Sequence, residues 1–324
     1  MADPGGGDGA LRHTALFYRD RAEYRAQILG FARAGLARGE PVLVALPGDA
    51  ARVVAGHLTG EPGELRCSDI AGLSRNPARL IPELQAFFDN HAGQRVRVVA
   101  EPGWPGRSPA EICETIRHEA LVNLAFPDTP ATMMCPYDVT RLTPAAVAGV
   151  QRTHPERLGD DGQMTAAGEP AAPWQIPPYC DRPLPPPPAS AETLSYETDL
   201  APVRKMVEAC ARRTSLAAER VTDLVLAVNE IAANTLGHTK SGGVLRVWRG
   251  AAEILCQVHD QGWIADPLAG RVKRPPDARG HGLFLVNQLC DLVELRTGPG
   301  GTTVRMHMSL GDRSTACPAR ESLV

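Results

Sequence analysis

No run of about 18 apolar residues, the length a membrane span needs, occurs in the 324-residue chain. No basic-then-apolar stretch opens it either, since residues 1–10 are rich in glycine and aspartate, so no secretory leader is expected and the chain reads as cytoplasmic. A marked excess of either charge is missing too. A formal net charge of -3 offers no electrostatic footing for nucleic acid or an anionic membrane. The eight cysteines stand singly at 67, 113, 135, 180, 210, 256, 290 and 317, without the close pairs of zinc or redox motifs, and are expected as reduced, mostly buried thiols.

What is present is enough chain for two cores at about 100–200 residues per domain. Apolar periodicity disappears over residues 155–191 and proline accumulates, ending in the run Pro185 to Pro188, which favours an extended, semi-rigid linker. The expected organisation is therefore a disordered 1–10, a first domain over 11–154, a linker over 155–191, a second domain over 192–310 and a disordered tail over 311–324.

In the first domain strand patterns at 41–46, 95–100 and 131–134 alternate with helical patterns at 21–38, 78–90 and 109–125, which predicts a mostly parallel sheet covered by helices. The first of these strands runs into Pro47-Gly48-Asp49-Ala50, which lacks the Gly-Lys-Ser/Thr ending of a phosphate loop. In the second domain helices at 201–213 and 217–236 precede strands at 244–249 and 254–260, a loop, a helix from about 282, and strands at 292–296 and 302–308. That order predicts an α/β sandwich with helices on one face of an antiparallel or mixed sheet.

Four features of the second domain carry chemistry. Glu230 and Asn234 lie four apart, off the apolar stripe of their helix, so both can converge on one ligand; alone, such a pair is more often a solvated helix face. Asp260 leaves its strand on the apolar side and requires a partner there, either an exocyclic amine such as that of adenine or the turn at Gln261 and Gly262. Gly280 and Gly282 open a helix whose amides suit phosphate, although a lone Gly-x-Gly is more often a turn. Thr302 points inward after Gly301, toward adenine or a water, or as an ordinary strand residue.

In this order the four resemble the boxes of the GHKL, or Bergerat-fold, ATPases: Asn229 to Asn234, Asp260-Gln261-Gly262, Gly280-His281-Gly282-Leu283 and Gly301-Thr302-Thr303. The pattern from Gly280 to Asp291 and the short domain look most like the anti-sigma-factor serine kinases. The resemblance implies ATP and Mg2+ as cofactors, Glu230 as the base, Asn234 as a magnesium ligand, Asp260 and Thr302 at the adenine, and Gly262, Gly280 and Gly282 as further nucleotide contacts. It implies a sigma factor and a STAS-type antagonist as partners, the antagonist being phosphorylated on serine or threonine. A homodimer is compatible with it. Family members often have a glycine where this chain has Ile264, which keeps open nucleotide binding without transfer. A sensor histidine kinase, which shares the ATP fold, is a further reading, although the proline-rich segment before the domain offers no phosphoacceptor histidine on a helix pair.

The first domain is similar to the MEDS sensory domain through His13 to Tyr18, Glu101-Pro102-Gly103-Trp104 and Cys135-Pro136-Tyr137-Asp138. The resemblance implies a Rossmann-like or RecA-like sheet that senses a small organic ligand. Glu101 and Cys135 are expected near C-terminal strand ends, with His13, Tyr18, Glu119 and Tyr137 completing a pocket. Hydrogen bonding at the edge of the core accounts for the same residues, and no metal site follows from their spacing.

Overall fold

The computed structural model describes residues 9–102, 106–158, 164–166, 178–239, 241–275 and 280–311. The chain divides into two compact units, one ending at Cys180 and the other beginning at Asp181.

The first unit runs β1 (Arg12–Tyr18), α1 (Arg21–Leu36), β2 (Val42–Leu46), α2 (Asp49–His57), β3 (Leu65–Asp69), α3 (Leu80–Asn90), β4 (Val96–Ala100), α4 (Pro109–Ala125), β5 (Ala131–Asp138), α5 (Pro144–Thr153), β6 (Glu156–Leu158) and β7 (Met164–Ala166). Its sheet has the order β3-β2-β4-β5-β1-β6-β7, parallel except for the last pair. β2 and β4 are buried at every position, the signature of parallel strands covered on both faces. Helices start where local chemistry allows. Asp20 accepts from the Glu23 amide ahead of α1, and a Ser108–Glu111 capping box with Pro109 in the first turn opens α4.

Strand alternation sorts the core. Leu16, Tyr18, Val42, Val44, Leu46, Val99 and Met134 pack against α1 and α2 on one face, whereas α4 reaches the other face at His13, Cys135 and Tyr137. Where a phosphate loop would lie after β2, the Gly48 amide donates to the Asp69 carboxylate at 2.8 Å, so a protein side chain occupies that amide.

Part of the expected linker belongs to this sheet. β6 pairs in parallel with β1, and Glu156 accepts from both Arg12 and Thr14, which gives residues 156–158 the partners their composition did not advertise. β1, α2, β3 and α5 also went beyond the periodicity reading.

A short helix α6 (Pro178–Asp181) precedes the second unit, which comprises β8 (Glu192–Tyr196), α7 (Ala201–Arg212), α8 (Ala218–His238), β9 (Gly243–Arg249), β10 (Glu253–Asp260), α9 (His281–Leu289), β11 (Leu292–Gly298) and β12 (Gly301–Ser309). The sheet is antiparallel throughout, ordered β11-β12-β10-β9-β8. Its helix-facing side contributes Ile254, Cys256, Val258, Val304, Met306 and Met308 to a core shared with Val221, Leu224, Val228 and Ile231 of α8. The mixed α/β architecture is thus a parallel-sheet domain followed by an α/β sandwich.

The other face of this sheet is polar yet buried. Arg305 donates to Gln257 and to the Pro185 carbonyl and lies 5.2 Å over the Trp248 ring, so the proline-rich segment is hydrogen-bonded to the sheet beside it. His307 sits between Glu253 and Glu294, with a 3.0 Å contact to each. Burial opposes its charge, but the hydrogen bonds and charges of the two carboxylates outweigh that and push its pKa up to about 9.

The described cysteines are free, and all but Cys67 are buried, as a reduced set should be. No helix among the described residues is long and apolar enough to cross a membrane.

Candidate functional site

α8 and α9 pack side by side, and the glycine at the second position of α9 lies against the polar edge of α8. A Cβ on Gly282 would stand 3.0 Å from Glu230 Oε2 and 3.2 Å from Asn234 Nδ2. Glycine here lets the start of α9 approach both polar groups. Gly280 is the N-cap of α9 in the left-handed conformation, φ 99°, and no side chain among the described residues caps the helix, so its first amides lack an intrahelical acceptor. Glu230 and Asn234 are half-buried. The structure therefore brings Glu230, Asn234 and Gly282 together, with Gly280 two residues before Gly282. Arg279, which precedes this turn, lies outside the described residues.

Asp260 finds partners that the sequence reading left open. Its Oδ1 accepts from the Gly262 amide at 2.7 Å, and its Oδ2 accepts from the Thr235 hydroxyl at 2.6 Å. The turn cap is thus present, and the demand for an outside partner is met from within the protein. Each carboxylate oxygen keeps a second lone pair, so a further donor can still be accepted. Thr235, the next residue after Asn234, was not singled out from the sequence; its position on the helix face toward β10 was the available signal. Buried Tyr196 on β8 lies close by, and burial together with the Asp260 charge pushes its phenol up to about 12.

Thr302 is likewise engaged. Its hydroxyl donates to the Gly262 carbonyl at 2.9 Å and contacts the Thr297 hydroxyl at 2.9 Å, while Thr297 accepts from the Ile264 amide at 3.2 Å. These bonds fasten the segment 262–264 to β11 and β12, and Ile264 packs against the core. A Cβ on Gly301, where φ is 102°, would fall 2.0 Å from the Asp260 carbonyl, so this position excludes any side chain.

The six residues expected to form a pocket in the first unit divide between the two sheet faces. His13, Glu119, Cys135 and Tyr137 meet on the α4 face, where Tyr137 donates to Glu119 and His13 Nε2 lies 3.1 Å from Glu119 Oε2. Burial resists the Glu119 charge, but His154, His13 and His118 around it hold its carboxyl down at about 2. Burial and that carboxylate push the Cys135 thiol and the Tyr137 phenol well up.

Tyr18 and Glu101 make their own contacts with Tyr24 rather than with these four. Strand alternation turns Tyr18 to the opposite face, where its ring packs 4.7 Å from Tyr24, and the Tyr24 hydroxyl donates to Glu101 at 2.6 Å. Cys135 is also mid-strand rather than at a strand end, because β5 continues to Asp138. Gly103 and Trp104 of the sequence motif lie outside the described residues. His154, just after α5, joins the α4-face group although nothing near it in sequence marked it. A small, mostly apolar hollow lies on the same side, lined in part by Leu43, Ala45, Leu80, Leu84, Ala100 and His118.

Together the polar edge of α8, the end of β10 and the glycine start of α9 form one candidate site on an α/β sandwich, and a mostly parallel α/β domain precedes it in the chain. Comparison with known families places both: residues 12–155 match the MEDS (methanogen/methylotroph, DcmR sensory) domain, and residues 194–308 match the histidine kinase-like ATPase domain. The chain carries these two domains in that order. No curated protein matches it at sequence level. Among solved structures, the RsbU and RsbW domains of Rv1364c from Mycobacterium tuberculosis are 18% identical over 38% of this chain and 33% of that one, with a TM-score of 0.29. The Acinetobacter baumannii histidine kinase AdeS is 10% identical over 38% of this chain and 68% of that one, with a TM-score of 0.24. The match thus spans about a third of the length of the first of these structures.

Proposed function

We propose that the second domain binds ATP with Mg2+ and transfers the terminal phosphoryl group to a serine or threonine of a STAS-type antagonist. The same domain sequesters a sigma factor until that antagonist engages it. In this reading the first domain senses a small organic ligand and sets the kinase state. The observation that carries the reading is the approach of Gly282 to Glu230 and Asn234, which leaves a carboxylate, an amide and a helix N-terminus around one point.

The donor set fits the cofactor. Magnesium prefers hard oxygen ligands, and Asn234 Oδ1 and Glu230 Oε2 lie 3.5 and 3.0 Å from the Cβ position of residue 282. When bound, the metal neutralises phosphate charge. Asn234 would hold it, and the amides after Gly280 would hold phosphate oxygens. Asp260, fixed by Thr235 and Gly262, would read the adenine amine with its remaining lone pair, and Thr302 supports that turn. Glu230 would accept the proton of the attacking hydroxyl, a role worth about 10²–10⁴-fold in rate.

One observation favours a second reading, nucleotide binding without transfer. Ile264 is partly buried against the core with its amide bonded to Thr297, so the segment after Gly262 is tied down where relatives of the resembled type often have glycine. Incubating the full chain with labelled ATP, Mg2+ and a STAS-domain antagonist separates the readings. Acid-stable label on the antagonist that Glu230→Gln abolishes supports the kinase. ATP binding with no label supports the second reading, and acid-labile label on the chain itself would make it a histidine kinase.

A further inference from the structure

β1, α4, β5 and the residue that follows α5 send four buried side chains to one point. His13, Glu119 and Cys135 are fully buried and His154 is 1% exposed. One ligand atom from each lies within 4.8 Å of all the others. Glu119 Oε2 stands 3.1 Å from His13 Nε2, 3.5 Å from His154 Nε2 and 3.8 Å from Cys135 Sγ, and His13 Nε2 stands 3.4 Å from Cys135 Sγ.

The hydrogen bonds behind this cluster decide which way its lone pairs point. Asn123 uses its amide N–H groups on the Thr153 and Glu119 carbonyls, at 2.7 and 3.2 Å, so its Oδ1 is the acceptor facing His13 Nδ1 at 3.0 Å. His154 Nδ1 lies 2.9 Å from the Val150 carbonyl, which can only accept. In both rings Nδ1 therefore carries a proton, and Nε2 turns into the cluster. Tyr137 donates to Oε1 of Glu119 and leaves Oε2 facing the two imidazoles. His154 Nε2 is buried and makes no hydrogen bond among the described residues.

Two imidazole nitrogens, a carboxylate oxygen and a sulfur facing one another need either shared protons or a cation between them, and all four are ligand types of one metal class. Tetrahedral bonds of about 2.0–2.3 Å place ligand atoms roughly 3.3–3.8 Å apart, close to the separations found here. We propose that His13, Glu119, Cys135 and His154 form a closed four-ligand site for a divalent cation of the zinc class. Two imidazoles and a sulfur suit zinc or cobalt and disfavour the hard cations magnesium and calcium. On binding, Cys135 coordinates as thiolate and its proton leaves to solvent. The site is separate from the nucleotide domain, and no motif marks it because its ligands come from four distant points of the chain.

The test uses the full chain expressed in metal-depleted medium and titrated with Co2+. One equivalent should produce the visible bands of four-coordinate cobalt and a thiolate charge-transfer band in the near ultraviolet, both erased by Zn2+. Zn2+ alone should raise the melting temperature of the wild type. Cys135→Ser should lose the charge-transfer band and keep the visible bands, and His154→Ala should weaken Co2+ uptake at least roughly tenfold. Folded wild type that shows no cobalt bands and no zinc-dependent melting shift would overturn the site and leave a cluster held by a shared proton. A charge-transfer band undiminished in Cys135→Ser would overturn it as well, by placing the metal on another cysteine.

Discussion

The Thr235 hydroxyl donates to Oδ2 of Asp260 at 2.6 Å, tying α8 to the end of β10 one residue beyond Asn234. The bond sets the depth at which the polar edge of the helix meets the carboxylate, so the two halves of the candidate nucleotide site share one anchor. Thr235→Val keeps the shape and removes the donor. Loss of about 1–3 kcal/mol of stability is expected in denaturant titration, together with weaker ATP binding by calorimetry. Unchanged affinity would uncouple Asp260 from the nucleotide.

Gly282→Ala should separate function from stability. Its φ is not in the left-handed region, and alanine favours a helix by about 0.5–1 kcal/mol over glycine, so the fold should be as stable or more so. The added Cβ would nevertheless press on Glu230 Oε2 and Asn234 Nδ2 at 3.0 and 3.2 Å. Phosphoryl transfer should fall roughly tenfold or more, measured as initial rate at saturating ATP.

Gly301→Ala should act the other way, through the backbone. A Cβ placed 2.0 Å from the Asp260 carbonyl at φ 102° cannot be accommodated by a side-chain shift. A fall of at least about 2 kcal/mol is expected in denaturant titration, with β10 and β12 displaced together.

His307 predicts a pH dependence of the second domain. Its folded pKa, about 9, lies above the ordinary histidine value of 6.5, so protonation favours the folded state. That stabilisation is complete below about pH 6.5 and is lost as pH rises through 9. Melting temperature should decline between pH 7 and 10, and Glu294→Gln, which removes one of the two carboxylates, should flatten that decline.

Much of the second domain was legible in the sequence because its signals are local. The stripe on α8, the alternation along β10 and β12 and the glycines before α9 each lie within one element, where the periods of 3.6 and 2 dictate which residues share a face. Glu230 and Asn234 could be placed on one helix edge for the same reason. The partners of Asp260 could not, since Thr235 reaches it only after α8 docks on the sheet.

The first domain shows the limit more sharply. Composition alone classed residues 155–191 as linker, yet Glu156 to Leu158 form a strand because β1 supplies a free edge and Arg12 a counter-charge. The sequence by itself determined the order of helices and strands from α7 to β12, the paired polar positions on α8 and the absence of a phosphate loop after β2. Only the tertiary structure decided that Tyr18 and Glu101 part from His13 and Cys135, and that His154 joins them. Parallel strand pairing brings together residues more than a hundred positions apart, and such neighbours share no local period for a sequence to display.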